Sequence, residues 1–516
     1  MLSGDTFKNI RVYWLAFVVY WGIVLFGYDV GIAGGVVSQP YFESSFGLIN
    51  ADGTINKSKD TMISSNVVSV LQAGASFGTL TSAPLSDWIG RRRTLFSFNI
   101  VFSIGAILTM IAGGRRGIGY IYSGRVISGI GMGGMSAVAP AYVSECSPKD
   151  VRGRITECFQ IMVATGVMTS YFINLAVSLH VPNSPLVWRI PFGLQLAPAG
   201  IMCLGLLTVK ESPRWLASKG CVAEGIANLA YLRMEPCDST ELLLEFAEIE
   251  AAVWEEMESR QGCGLKEAFL GKGNFVRFTI AFMIFLLQQW SGQNSVGYYA
   301  PQIFTSIGYS GTTNSLLASG IYGIVKVVST AFFVFFLVET LGRRMSLFIS
   351  AIGMGITFFI IGAILKTHPV DVPQYGLSAP PPPASKAMAA MLYIYVCFYS
   401  LGWGPLPWVY AAEIFPTRTR HYGLAMGSGS QWLWSTLWCG KVTPTLEADL
   451  GYKLFLMFAT INMLEWVSFP CQLLPETKGR SLEEMDIIFG AVSADSRESF
   501  IGRALDHRDP KSNSKR

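Results

Sequence analysis

The sequence predicts an all-α membrane protein: twelve transmembrane helices in two pseudo-symmetric halves of six. Three observations carry this. Of 516 residues, 51% are hydrophobic and only 14% charged, against about 25% charged in an average soluble domain. Apolar runs of about 20 residues recur along the chain, each able to cross a hydrocarbon core of about 30 Å as a helix. Short charged motifs repeat in the same order in the two halves. The composition excludes a disordered chain, a nucleic-acid binder built on basic patches and a disulfide-framed secreted domain. A formal net charge of +4 is too small to argue for a polyanionic partner.

The spans read, within a few residues, as 12–37, 62–86, 94–112, 118–143, 155–178, 188–209, 275–300, 313–338, 346–365, 387–410, 422–441 and 451–474. The first is too long and glycine-rich for a signal-peptide core, so it is kept as a helix. Residues 210–272, between spans six and seven, are the one long polar stretch between spans. They are Glu-rich with helical periodicity over 241–258. The expected domains are therefore bundles at 12–209 and 275–474, linker helices at 210–272 and a tail at 475–516. Residues 366–386, with Pro380–Pro383, read as an extended outer loop.

Orientation follows from lysine and arginine bias. With the N-terminus inside, short inner loops hold ten Lys/Arg, including Arg91–Arg93, Arg152, Arg343, Arg344 and Arg420, against six in outer loops. Both termini are then cytoplasmic. Arg115 and Arg116 run against the trend. Asn56-Lys-Ser58 is a glycosylation sequon in the first outer loop. Nine scattered cysteines without a CxxC, and four histidines apart from them, give no metal site and no sign of a cofactor.

The internal repeat is specific. Asp87-Trp-Ile-Gly-Arg-Arg92 follows span two, and Glu339-Thr-Leu-Gly-Arg-Arg344 follows span eight. Glu145 is followed by Pro148 and Arg152, and Glu413 by Pro416 and Arg420, at the same spacings. Lys210-Glu211-Ser-Pro-Arg214 ends span six, and Pro475-Glu476-Thr-Lys-Gly479 ends span twelve. Two repeats of six spans are the architecture of a secondary transporter, with substrate held between the halves near the midplane. These carboxylates and guanidiniums at inner helix ends can pair within a half and between halves, an interface that rocking would break and reform. The plainer alternative is a topology signal.

The motifs Asp87–Arg92, Pro140–Arg154, Glu211–Trp215, Gln288–Tyr299, Glu339–Arg344, Gly402–Arg420 and Pro475–Gly479 together resemble the sugar porter family of the major facilitator superfamily, of fungal type. The match runs over about nine tenths of the chain, from Val12 to Asp486. The resemblance implies the major facilitator fold of two pseudo-symmetric six-helix bundles, a small cytoplasmic helical domain made from 210–272 and the tail, alternating access, a monosaccharide or sugar-like acid as substrate, a plasma-membrane location and a monomer, with the proton and the bilayer as further partners.

Charges within spans are costly and functional by default. Asp29 lies in span one and Arg125 in span four. An isolated carboxyl in hydrocarbon holds its proton; beside a guanidinium it can release it, so separating the pair would drive proton uptake. Proton-coupled sugar porters are similar at both positions, whereas facilitative members commonly carry a neutral residue in place of the Asp. A static ion pair is the alternative. Lys326 in span eight stands where neutral-sugar members present a neutral polar residue. It can neutralise a substrate carboxylate, and fungal quinate and uronic-acid permeases look similar here. Pairing with another protein group and snorkelling remain open. Glu465 in span twelve matches no motif and has no assigned role.

Amide side chains donate and accept, as sugar hydroxyls require. Span seven offers Gln288, Gln289 and Asn294 on one broad face of a helix broken locally at Gly292, with Tyr298 and Tyr299 beyond. The resemblance assigns sugar contacts to these three amides, Gln160 and Trp408, with Gln431 less closely matched. Tyr298 and Tyr299 are gate candidates. Pro405 and Pro407 beside Gly402 and Gly404 break span ten and mark another gate. Gly129-Ile-Gly-Met-Gly-Gly134 has the look of a dinucleotide loop but lies inside an apolar helix, where close packing explains it.

The reading is a proton-coupled symporter. A facilitative uniporter and a transporter-like nutrient sensor are the alternatives; Asp29 argues against the first and the short tail against the second. An enzyme is not expected, because no nucleophile–base pair is apparent.

Overall fold

The computed structural model describes residues 9–49, 56–113, 117–181, 183–260, 274–337, 342–369, 380–415, 420–468, 474–476 and 489. Regular structure among them is helical, and all twelve expected spans are present. In the first half these are α1 (Ile10–Val37), α2 (Lys57–Ile89), α3 (Arg91–Met110), α4 (Gly119–Cys146), α5 (Lys149–His180) and α6, which runs Leu186–Leu194 and resumes as Leu196–Leu206. In the second half α7 comprises Asn274–Trp290, Gln293–Tyr298 and Ala300–Ser306. It is followed by α8 (Thr312–Phe332, ending in the π-turn Phe333–Leu337) and α9 (Arg343–Thr367). Next come α10 (Pro383–Leu401 and Leu406–Ile414) and α11 (Arg420–Trp434, a π-helical stretch Ser435–Val442, then Thr443–Leu450), and the half ends with α12 (Tyr452–Ser468).

Eight of these helices are individually long and apolar enough to span a bilayer. Two of the remainder, α7 and α11, are interrupted helices. Gly292, at φ +92°, breaks α7 between Trp290 and Gln293. A residue with a Cβ is strained in that conformation, so glycine permits the break. Pro405 caps the second segment of α10. Such breaks at membrane depth expose backbone polar groups, tolerable only where protein or a cavity satisfies them. Residues 370–379 of the expected outer loop 366–386 lie outside the described residues, as do Arg115 and Arg116.

In the first half α4 packs on α2 and α3, and α1 on α5. In the second, α9 packs on α10 and α12, α7 on α11, and α8 on α10. The seams between the halves are α5 against α8, α2 against α11 and α1 against α7. Hydrophobicity cannot drive such contacts in lipid, so small residues must let the backbones meet. A Cβ on Gly129 would fall 2.1 Å from the Leu71 carbonyl oxygen, and one on Gly133 would fall 2.0 Å from that of Ala75. Gly129 and Gly133 thus face α2, while Gly131 and Gly134 of the same run meet Phe98 and Phe102 of α3, the close packing expected of the run. Gly133→Leu should abolish the monodisperse peak in detergent size-exclusion chromatography, since backbone cannot yield as a side chain would. An unchanged peak would show that α2 and α4 can separate freely.

The linker forms helices Pro213–Ser218, Val222–Arg233 and Thr240–Arg260. They share a small core around Leu229, Leu242 and Phe246. Arg233 fastens them to α4: Nη1 donates to the Cys146 carbonyl at 3.0 Å and Nη2 pairs with Glu245 at 2.6 Å. Arg11 ties them to α1 through the Tyr231 carbonyl at 2.7 Å.

Candidate functional site

The repeated motifs build the same clamp twice. In the first half Arg91 pairs with Glu145 at 3.0 Å and with Asp87 at 3.1 Å. Glu211 accepts from the backbone N–H groups of Arg91 and Arg92 at 2.9 and 3.1 Å, so a carboxylate caps the start of α3. Burial raises the Glu211 carboxyl above its usual range, and the N–H donors of Ser212, Arg92 and Arg91 oppose that rise. In the second half Arg343 pairs with Glu413 at 3.0 Å, and Glu476 accepts from the backbone N–H groups of Arg343 and Arg344, both at 3.0 Å. Arg92 was expected among the ion pairs. Its Nε donates instead to the Leu206 carbonyl at 2.8 Å, because consecutive helix residues point about 100° apart and Arg91 takes the carboxylate side. Each of these three ion pairs joins residues of the same half. Glu339 and the side chains of Arg152 and Arg420 lie outside the described residues, whereas Arg214 is described and half-buried.

Asp29 and Arg125 meet. Both are buried, at 0% and 1% exposure, and Arg125 Nη1 donates to Asp29 Oδ1 at 2.5 Å. Gln195, at the break of α6, donates through Nε2 to the same oxygen at 2.6 Å. Arg125 Nε reaches the Val67 carbonyl at 3.3 Å, and its guanidinium lies 5.7 Å from the Phe192 ring. Three helices, α1, α4 and α6, thus converge on one carboxylate. The sequence reading missed Gln195, although a glutamine inside an apolar span was a usable signal.

The amides of α7 are arranged in complementary fashion. The Gln288 amide nitrogen donates to the carbonyls of Trp403 and Gly404 at 2.7 and 3.2 Å and to Tyr399 Oη at 3.5 Å, while its Oε1 has no partner. The carbonyls it meets are those freed by the break in α10. Gln289 is the reverse. Its Oε1 accepts from Asn294 at 2.6 Å and from the Cys439 thiol at 3.6 Å, and its Nε2 has no partner. Amide orientations are assigned from such partners, and here both networks agree. Buried Gln431 on α11 has a free Oε1. Among the described residues the site therefore presents free acceptors and a free donor, the pattern that hydroxyls satisfy. Trp408 adds an apolar wall, its ring 4.9 Å from Phe285 and 6.5 Å from Phe159. Gln160 is half-buried on α5 next to Phe159. Tyr399 and Cys439 are positioning groups that the sequence reading did not single out. Gln289→Leu should raise the apparent KM by about 10–100-fold, as losing one buried hydrogen bond does. Uptake kinetics at unchanged surface expression check this.

The other end of the bundle, away from the motifs, is closed between halves. Tyr171 of α5 donates to the Gly297 carbonyl at 2.5 Å, Gln302 of α7 donates to the Gly34 carbonyl at 3.3 Å, and Lys441 of α11 bonds Asn66 of α2. Tyr298 and Tyr299 are buried at this seam. A Cβ on Gly34 would fall 2.3 Å from the Tyr298 carbonyl oxygen, so α1 and α7 touch backbone to backbone. Asn56 caps α2, accepting from the Lys59 N–H at 3.1 Å.

With this geometry in hand, residues 15–489 match the family model described as sugar (and other) transporter. The chain belongs to that family. It is 36% identical over 489 residues to a quinate permease of Emericella nidulans, covering 93% of this chain and 89% of that one. It is 36% identical over 485 residues to a probable quinate permease of Aspergillus niger, covering 93% and 88%. The proton:xylose symporter XylE bound to 6-bromo-6-deoxy-D-glucose superposes with a TM-score of 0.75 at 25% identity, covering 93% of this chain and 100% of that one. XylE from E. coli in a partially occluded inward-open conformation gives a TM-score of 0.74 at 24% identity, covering 91% and 99%. The protein is a multi-pass membrane transporter with the major facilitator architecture.

Proposed function

We propose that the protein imports a monosaccharide or sugar-like acid together with protons, by alternating access of the bundles 12–209 and 275–474 to a site between them. The observation that carries the coupling is the buried Asp29–Arg125 pair, with Gln195 as second donor to the same carboxylate oxygen. An acid–base group enclosed this far from water exchanges its proton only when the surrounding helices move. The proton:xylose symporter among the related folds supports the same reading. The substrate contacts are Gln288, Gln289, Asn294, Gln431, Gln160 and Trp408. Tyr298, Tyr299 and Pro405 move as gates. The motif clamps lie on the cytoplasmic side with both termini, the carrier works as a plasma-membrane monomer, and Asn56 faces the outer medium.

The test is uptake of radiolabelled glucose, xylose, quinate and galacturonate by transporter-deficient yeast, with and without a protonophore. One of these should accumulate above its external concentration, and the protonophore should reduce it to equilibration. Accumulation that survives the protonophore would remove proton coupling.

A further inference from the structure

A buried lysine normally has a carboxylate partner, because an ammonium in a low-dielectric interior is costly unless paired. Lys326 on α8 is 5% exposed. Among the described residues its ammonium has no ion pair. The ring of Tyr399 lies beside it, 6.0 Å from Nζ to the centroid. That is the outer limit of a cation–π contact and too little to balance a buried charge.

The surroundings of Lys326 belong to the amide site. One turn earlier, Tyr322 Oη donates to Gln293 Oε1 at 2.9 Å. One turn later, Thr330 bonds Ser400 of α10 at 3.1 Å. This stripe of α8 therefore faces α7 and α10. Tyr399 joins the two sets of groups, with its ring facing Lys326 and its hydroxyl accepting from Gln288 at 3.5 Å. Among the described residues, that tyrosine thus stands between an ammonium without an ion pair and the free acceptor Gln288 Oε1, with the free donor Gln289 Nε2 on the next residue of α7 and a further free acceptor, Gln431 Oε1, on α11. A neutral sugar would satisfy the amides and leave the ammonium buried and alone. A polyhydroxylated carboxylate satisfies all of them.

We infer that Lys326 is the anion-recognising group of the substrate site, and that the protein selects a polyhydroxy monocarboxylate over the neutral sugar of the same shape. This rests on the transport reading above and names its substrate class. A carboxylate on a lysine point charge, with hydroxyls on the amides, makes the acid the specific substrate, because a site built for a polar group rejects the analogue lacking it.

The experiment uses the full chain in transporter-deficient yeast and in detergent, with matched probes: D-galacturonate against D-galactose, and quinate against myo-inositol. Wild type should take up or be inhibited by an acid at least tenfold more effectively than by its neutral partner. Lys326→Met should lose about 100-fold in acid affinity while leaving the affinity for the neutral probe unchanged or improved. Lys326→Arg, which keeps the charge, should retain part of the acid preference. The side chain of Glu465 lies outside the described residues, so Glu465→Gln is included and should preserve the acid preference. Should Lys326→Met fail to reach the membrane, ligand-induced thermal stabilisation of purified wild type still ranks the probes. Equal ranking of acids and neutral sugars would overturn the inference. So would equal losses for both probe classes in Lys326→Met, or the same pattern in Glu465→Gln, since either makes Lys326 a structural ion-pair member. Proton coupling fails separately: acid uptake indifferent to a protonophore would remove the symport reading and leave the carboxylate site standing.

Discussion

Asp29→Asn should reduce the steady-state accumulation ratio of substrate to about one while preserving exchange of labelled for unlabelled substrate. Asparagine keeps the size of the side chain and one carbonyl oxygen, so Gln195 and Arg125 can still donate to it. It cannot take up or release a proton. The substrate path and the rocking motion survive, and the link to the proton gradient does not. The change also leaves the Arg125 guanidinium, 1% exposed, without a counter-charge. Removing one member of a buried pair costs about 3–5 kcal/mol, so low surface expression must be separated from lost coupling. Asp29→Asn combined with Arg125→Gln removes both charges and should restore expression without restoring accumulation. Accumulation at the wild-type level by the single variant would show that the pair is structural.

The contrast between Asp29 and Gln195 shows what the sequence exposed. Ionisable residues stand out against apolar spans, so Asp29, Arg125 and Lys326 were legible one by one. That Asp29 and Arg125 share a bond follows from the packing of α1 against α4, and Gln195 joins them only because α6 breaks at that residue. The twelve helices were legible because a bilayer fixes their length and apolarity. The break at Gly292 was legible for the same reason that glycine is needed there. Within the motifs, residue types were legible and partners were not. Whether Arg91 or Arg92 meets Glu145 depends on a rotation of about 100° about the axis of α3, which motif spacing does not record. The orientations of Gln288 and Gln289, opposite in sense on adjacent residues, depend on carbonyls freed in α10 and a thiol on α11.

Those clamps predict the second large effect. Arg343 and Glu413 are half-buried at 18% and 29% exposure and bonded at 3.0 Å, while Glu476 holds the backbone of Arg343 and Arg344. Glu413→Arg replaces the attraction by repulsion beside a capped helix start. A fully exposed pair is worth about 0–1 kcal/mol and breaking a fully buried one costs about 3–5 kcal/mol. A half-buried reversal should therefore shift the balance of conformations on the order of tenfold or more. The expected direction is toward a state open at the motif end. A cysteine introduced into the site should react faster with an impermeant reagent from that end and more slowly from the other. Arg343→Glu should act in the same sense, and the exchanged pair, Arg343→Glu with Glu413→Arg, should return both rates toward wild type, since it restores the attraction with its direction inverted. Reversal at Arg92 should open the same end by another route: a glutamate there would set a carboxylate against the Leu206 carbonyl that Arg92 now bonds. Accessibility equal to wild type in the single variants would reduce these motifs to topology signals. Accessibility that changes in the singles and is not rescued by the exchange would mean that Glu476, and not the side-chain pair, sets the balance of conformations at that end.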